Sequence, residues 1–181
     1  MRPIALVVMI VAGAITFGST PAASAKPSTK RTTDASVQQA ETGPSKKSRM
    51  ICAREAQKDL AGVLGAKPRR VTTPTWSDQL YRCDYVYPQG TVTLSVKELA
   101  DTAGTTAYFD TLASTLGRLP ADVNLGQGAF ETPNGSLAVR KDDSVLLVDV
   151  RGLANGFEKN ALTAEDVAYA IAATILQCWK G

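Results

Sequence analysis

Hydrophobic and polar residues alternate with a period of two along several stretches of this chain, and with a helical period along three others. From Leu80 to Tyr87, the residues Tyr81, Cys83, Tyr85 and Tyr87 share one face, and Arg82 and Asp84 share the other. After Pro88-Gln89-Gly90, the apolar Val92, Leu94 and Val96 alternate with Thr91, Thr93, Ser95 and Lys97. Two such runs joined by a short turn predict a β-hairpin. A second hairpin is predicted from strands over 137–140 and 144–151, turning at Lys141-Asp142-Asp143. In its second strand Leu146, Val148 and Val150 face one way, and Asp149 and Arg151 the other. A short strand over 129–132 precedes it, with Pro133-Asn134-Gly135 as the turn. Asn134-Gly135-Ser136 also matches a glycosylation sequon, but Asn-Gly is first a turn signal. Alternation of this kind marks an antiparallel sheet with one hydrated face.

The helical stretches lie around these strands. The spacing of Cys52, Ala56, Leu60 and Val63 predicts a helix over 48–64, capped by Ser48 and ended by Gly65. A second helix is predicted over 101–116, with Tyr108, Phe109, Leu112, Ala113 and Leu116 as its apolar set. A third starts at Thr163, whose hydroxyl caps the amide of Asp166, while Glu165 and Asp166 complement the positive end of the helix dipole. Its stripe is Val167, Ile171, Ile175 and Cys178. Residues 66–79 hold two prolines and read as an irregular loop, with Trp76 as a plug for the core. The order of elements predicts an α+β domain: an antiparallel sheet of about five strands with helices packed on one face.

The first 47 residues do not fit that plan. Residues 1–25 read as a secretory signal peptide: Arg2, then an apolar run from Ile4 to Phe17, then the small residues Ala23-Ser24-Ala25 as a cleavage site. The run is shorter than the roughly 20 residues a spanning helix needs, so no stable membrane anchor is expected after cleavage. Residues 26–47 are rich in Ser, Thr, Lys and Pro and read as a disordered tether. The single domain is then expected over 48–181. The net charge of +3 is carried outside it: residues 50–181 hold 13 Lys and Arg against 15 Asp and Glu. With no basic stripe on the domain, nucleic-acid binding is not expected.

The chain contains no histidine. That excludes Ser-His-Asp and Cys-His catalysis and removes the commonest zinc ligand. The three cysteines show no Cys-x-x-Cys spacing, and no cofactor or metal is expected. Gly126-Gln127-Gly128 lacks the third glycine of a phosphate cradle and does not join a strand to a helix. Asp142-Asp143 reads as two solvated carboxylates in a turn. The feature that carries chemistry is the polar sheet face, where Arg82, Asp84, Lys97, Arg140, Asp149 and Arg151 form the candidate binding face for a carbohydrate, peptide or partner. If their strands neighbour one another, Asp84 and Asp149 form a facing pair. The expected function is an exported, non-catalytic envelope module that binds or senses an unidentified ligand or protein partner. The alternative is a secreted hydrolase using carboxylates or a Ser/Lys pair.

Several of these segments together resemble a known group: Cys52, Tyr81-Arg82-Cys83-Asp84-Tyr85, Gly126-Gln127-Gly128-Ala129-Phe130, and Val139-Arg140-Lys141-Asp142-Asp143 running into Leu146-Leu147-Val148. Over about 50–181 the chain is similar to secreted and lipid-anchored actinobacterial envelope proteins, themselves similar to extracellular sensor domains of mycobacterial serine/threonine kinases. The resemblance implies a non-enzymatic envelope module. It also implies a Cys52–Cys83 disulfide, since it places one cysteine in the first helix and one in the first strand. Burial alone leaves all three pairings open, with Cys52–Cys178 the competitor. Cys178 would then be a buried thiol or the link of a possible dimer.

Overall fold

Backbone pairing within one antiparallel sheet organises the protein. The computed structural model describes residues 43–120, 124–154, 157 and 161–179, so the signal peptide and the tether up to residue 42 lie outside the described residues. The elements in order are α1 (Lys46–Met50), α2 (Arg54–Leu64), β1 (Arg70–Val71), β2 (Thr75–Ser77), β3 (Leu80–Tyr87), β4 (Gly90–Glu98), α3 (Thr102–Leu116), β5 (Leu119–Pro120), β6 (Gly128–Glu131), β7 (Leu137–Lys141), β8 (Ser144–Leu153) and α4 (Ala164–Cys178). The sheet order is β1-β3-β4-β8-β7-β6-β5, with β2 also on β3. Every pairing is antiparallel. The α+β architecture read from the periodicities is the one present. The five expected strands are β3, β4, β6, β7 and β8, and three short edge pieces extend them.

Those edge pieces explain the segment read as irregular. Pro68 and Pro74 hide any apolar period, yet Arg70 and Val71 pair with Val86 and Tyr85, and Thr75, Trp76 and Ser77 pair with Arg82, Tyr81 and Leu80. Between them the Asp84 amide donates to Thr72 Oγ1 at 2.9 Å. Trp76 packs against the core as expected.

Residues 82 to 85 also decide how the first helix is built. A single helix over 48–64 is not formed. Ser45, not Ser48, is the first cap: its hydroxyl accepts from the Ser48 amide. Lys46 and Lys47, read as the end of the tether, lie in α1. The chain turns at Ile51–Ala53 and restarts as α2, whose buried stripe is Ala56, Leu60 and Leu64. Val63, expected in the core, is 45% exposed. Cys52 is thus freed from the helix to reach β3, and the Cys52–Cys83 disulfide is formed with Cα atoms 6.2 Å apart. Cys178 is left as the free cysteine.

The main core lies between one sheet face and α1, α2 and α4. Tyr81, Cys83, Tyr85, Val92, Leu94, Val96, Leu146, Val148 and Val150 meet Leu60, Leu64, Val167, Ile171 and Ile175 there. The α4 cap is as predicted: Thr163 and Asp166 form a reciprocal capping box. One expectation fails. The helices do not all share a face, because α3 packs on the opposite side of the sheet. Its Phe109 and Ala113 contact Phe130, Ala138 and Val145, with Leu147 beside them. These residues sit on β6, β7 and β8 between the ones that face the main core, so the middle of the sheet is buried on both sides. The Phe109 and Phe130 rings meet edge to face at 5.0 Å.

Candidate functional site

The predicted binding face is the one α3 crosses, and its six residues do not converge. Arg140 and Lys97 share a cross-strand row with Val145 between them. Both are engaged by α3 or its surroundings. Arg140 donates to Thr106 Oγ1 at 2.8 Å and to the Gln127 carbonyl at 3.1 Å, and its guanidinium stands 6.0 Å from the Phe109 ring centre. Lys97 donates to the Asp78 carbonyl and lies over the Tyr108 ring at 5.7 Å.

The other four occupy the uncovered part of the face. Asp84 and Asp149 do not sit on neighbouring strands: Thr93 on β4 lies between them in the row. Thr93 Oγ1 donates to Asp84 at 2.7 Å. Each carboxylate takes its cation from two residues along its own strand, where period two places it on the same face. Arg82 is 3.3 Å from Asp84, and Arg151 grips both oxygens of Asp149. Burial pushes the Asp149 carboxyl up, but the Arg151 hydrogen bonds and charge, helped by Ser136, hold it below the usual carboxylate range. This strip pairs its charges internally, as sheet faces commonly do.

Next to it lies a polar knot in which Thr132 and Ser136 are buried and Asn134 is exposed. Asn134 Oδ1 accepts from the hydroxyls of Thr132 and Ser136 at 2.8 and 2.7 Å, and Ser136 Oγ accepts from the Val150 amide at 3.0 Å. The Asn-Gly turn, with Gly135 at φ +80°, builds this arrangement around Asn134 Oδ1.

A concave site lies elsewhere, where three distant segments meet: the 124–127 loop, the β7–β8 turn and α4. It encloses about 440 Å³, within the range of small-molecule pockets, roughly 300–1,000 Å³. Asn124, Gln127, Lys141, Asp142, Tyr169 and Gln177 supply its polar groups, over a floor of Leu125, Ala173 and Leu176. Residues 169, 173, 176 and 177 form one helical stripe, so α4 turns this side to the cleft and its Val167–Ile171–Ile175 stripe to the core.

Gln127 fixes the turn. Its Oε1 accepts from the Asp142 amide at 2.7 Å, where Asp142 adopts φ +56°. Its own amide donates to the Arg140 carbonyl at 2.8 Å. Gly126 permits this approach: a Cβ there would stand 2.4 Å from the Arg140 carbonyl oxygen. The Gly126-Gln127-Gly128 stretch thus serves a loop-to-strand bond. Lys47 of α1 reaches the same turn, 3.6 Å from Asp142 and 3.1 Å from Asp143. Burial raises the Asp143 carboxyl, and the Lys47 and Ser144 hydrogen bonds outweigh it and bring it below the usual range.

Sequence reasoning reached the turn and the Gly126-Gln127 stretch of this cleft and assigned neither of them to a site. Tyr169 was the available signal, an aromatic residue off the apolar stripe of a helix and 44% exposed. Among the described residues no group of three or more acidic, cysteine or histidine side chains converges as metal ligands would. No described helix is long and apolar enough to cross a membrane. No family model, no curated protein and no solved structure matches the chain.

Proposed function

We propose that this chain is an exported, non-catalytic module of the cell envelope that binds a ligand or a protein partner in the cleft between the 124–127 loop, the β7–β8 turn and α4. The observation that carries the reading is the contrast between two surfaces. On the polar sheet face Arg82 pairs with Asp84 and Arg151 with Asp149, while Lys97 and Arg140 are held by carbonyl and hydroxyl groups, whereas the cleft gathers polar groups from three segments around an apolar lining. That combination is the usual form of a binding pocket. A hydrolase needs a nucleophile beside a base or two opposed carboxylates, and the charged residues lining the cleft, among those described, are the adjacent Lys141 and Asp142.

Export draws on two further features. The Cys52–Cys83 disulfide suits an oxidising compartment, and Ala23-Ser24-Ala25 offers a cleavage site that would leave Lys26 as the first residue. The resemblance to envelope sensor modules points the same way.

The test is a pull-down from envelope extract with the chain from Lys26 onward, using three forms. These are the wild type, the cleft variant Tyr169→Ala/Gln177→Ala, and the face variant Arg82→Glu/Arg151→Glu. The expected result is a species retained by the wild type and the face variant and lost by the cleft variant. Loss only with the face variant would move the site to the sheet. Turnover of a wall-derived substrate that disappears in Asp142→Asn would make the protein an enzyme.

A further inference from the structure

We infer that the cleft takes a neutral saccharide, a ligand class that rests on the reading of the cleft as the binding site. The argument starts from charge. Among the described residues the cleft presents one cation, Lys141, and one anion, Asp142, from adjacent positions of the same turn, and Lys47 stands 3.6 Å from Asp142 and 3.1 Å from Asp143, so the positive and negative charges around the turn balance. A polyanion such as a phosphate ester would meet the Asp142 carboxylate beside Lys141. A polycation would meet Lys141 in the same way. The site discriminates against both signs.

Polarity then excludes the other extreme. A purely apolar ligand such as an acyl chain would take the Asn124 and Gln177 carboxamides out of water without giving them partners, and burying unpartnered amides is costly. The ligand must therefore be uncharged, offer many hydroxyl-type donors and acceptors, and still have an apolar surface. Sugars have this character: hydroxyls around the ring edge and a patch of C–H groups on a ring face.

The cleft provides a counterpart for each part. Carboxamides both donate and accept, so Asn124 and Gln177 can each engage neighbouring hydroxyls. Asp142 can accept from a further hydroxyl, and its position is pinned from behind by Gln127. Tyr169 supplies a flat apolar ring with a polar tip, the form aromatic residues use at half-wet contacts. One turn further along α4 stands Ala173, a further residue of the lining. Leu125 and Leu176 complete an apolar floor.

The experiment is an amide-shift titration of the ¹⁵N-labelled chain from Lys26 onward with four separate probes: cellobiose, glucuronate, inorganic phosphate and decanoate. Millimolar cellobiose should move the amides of Gly126, Ala173 and Gln177. Tyr169→Phe should keep that response, while Tyr169→Ala, checked for an otherwise unchanged spectrum, should weaken it by about ten-fold or more. Shifts of these amides by glucuronate, phosphate or decanoate without cellobiose would overturn the neutral-sugar assignment and leave the cleft as a binding site. Silence with all four probes would also overturn it. Cellobiose shifts confined to β3 and β4 would overturn the cleft reading itself, as would pull-down partners that ignore Tyr169→Ala.

Discussion

The Tyr85 hydroxyl donates to the Ile51 carbonyl at 2.7 Å, in the buried layer between β3 and the break separating α1 from α2. In a continuous helix that carbonyl would accept from the amide four residues on. Here the tyrosine takes that place, and the Gln57 side chain serves the Cys52 carbonyl at 2.9 Å. Both groups let the chain leave the helical path at the point where Cys52 must meet Cys83. Burial raises the Tyr85 hydroxyl pKa well above its ordinary value, so it remains a donor throughout the neutral range. Tyr85→Phe keeps the ring and leaves the Ile51 carbonyl without its tyrosine donor. The expected cost is about 1–3 kcal/mol, read from urea unfolding at pH 7. A change within error would show that the hydroxyl does not hold the break.

The disulfide closes the same junction. Cys52 and Cys83 are separated by 31 positions, and the chain-entropy relation gives about 3–4 kcal/mol for a loop of that size. Unfolding with and without reductant should differ by about that amount. Cys178→Ser should leave the difference intact, because Cys178 is the free cysteine. Non-reducing peptide mapping that joins Cys178 to either partner within one chain would contradict the pairing.

How much of this was readable depended on whether the signal was local. Both hairpins, the Thr163 cap and the faces of β3 and β4 follow from neighbours in sequence, and the structure has them. The break at Ile51–Ala53 depends on Tyr85 and Cys83, more than 30 positions away, while the local period of Cys52, Ala56 and Leu60 favours one helix. The edge strands β1 and β2 are held by backbone pairing to β3, which leaves no apolar period to detect. The position of α3 was present in outline: Val145-Leu146-Leu147-Val148 is a continuous apolar run, the mark of a strand covered on both faces. The stronger alternation of Leu146, Val148 and Val150 with Asp149 and Arg151 masked it. The cleft combines residues 124–127, 141–142 and 169–177, and no local pattern links them.

The Asp149–Arg151 pair should set part of the acid limb of stability. The folded-state pKa of Asp149 is lowered. Its contribution is therefore complete above the unfolded carboxylate value, about 3.9, and is lost as pH falls through the lower folded value. Arg151→Met removes the cation and leaves burial as the main influence, which pushes the carboxyl up. Acid unfolding followed by Trp76 and Trp179 fluorescence should then begin at higher pH than in the wild type. At pH 7 the loss should stay near or below about 1 kcal/mol, because Arg151 is largely exposed. Coincident acid transitions for the two proteins would show that the pair is energetically silent.

Whether α3 truly closes the second face is decided by Phe109. Its ring is 4% exposed. It meets Phe130 edge to face and lies under the Arg140 guanidinium. Phe130, Ala138 and Val145 would be open to water without it, although each alternates with a residue of the main core. Truncation of a buried phenylalanine costs about 3–5 kcal/mol, and Phe109→Ala should fall in that range. Arg140→Met keeps most of the packing and loses the bonds to Thr106 and to the Gln127 carbonyl, so its cost should be about 1–3 kcal/mol, at the usual value of about 0.5–1.5 for each hydrogen bond. The double variant should cost less than the sum, since the guanidinium and the ring touch and contacting residues couple. Urea unfolding of the three variants reads all of this. A loss below about 1 kcal/mol for Phe109→Ala would mean that the helix merely rests on the sheet, and that the charged face beneath it is open to a partner.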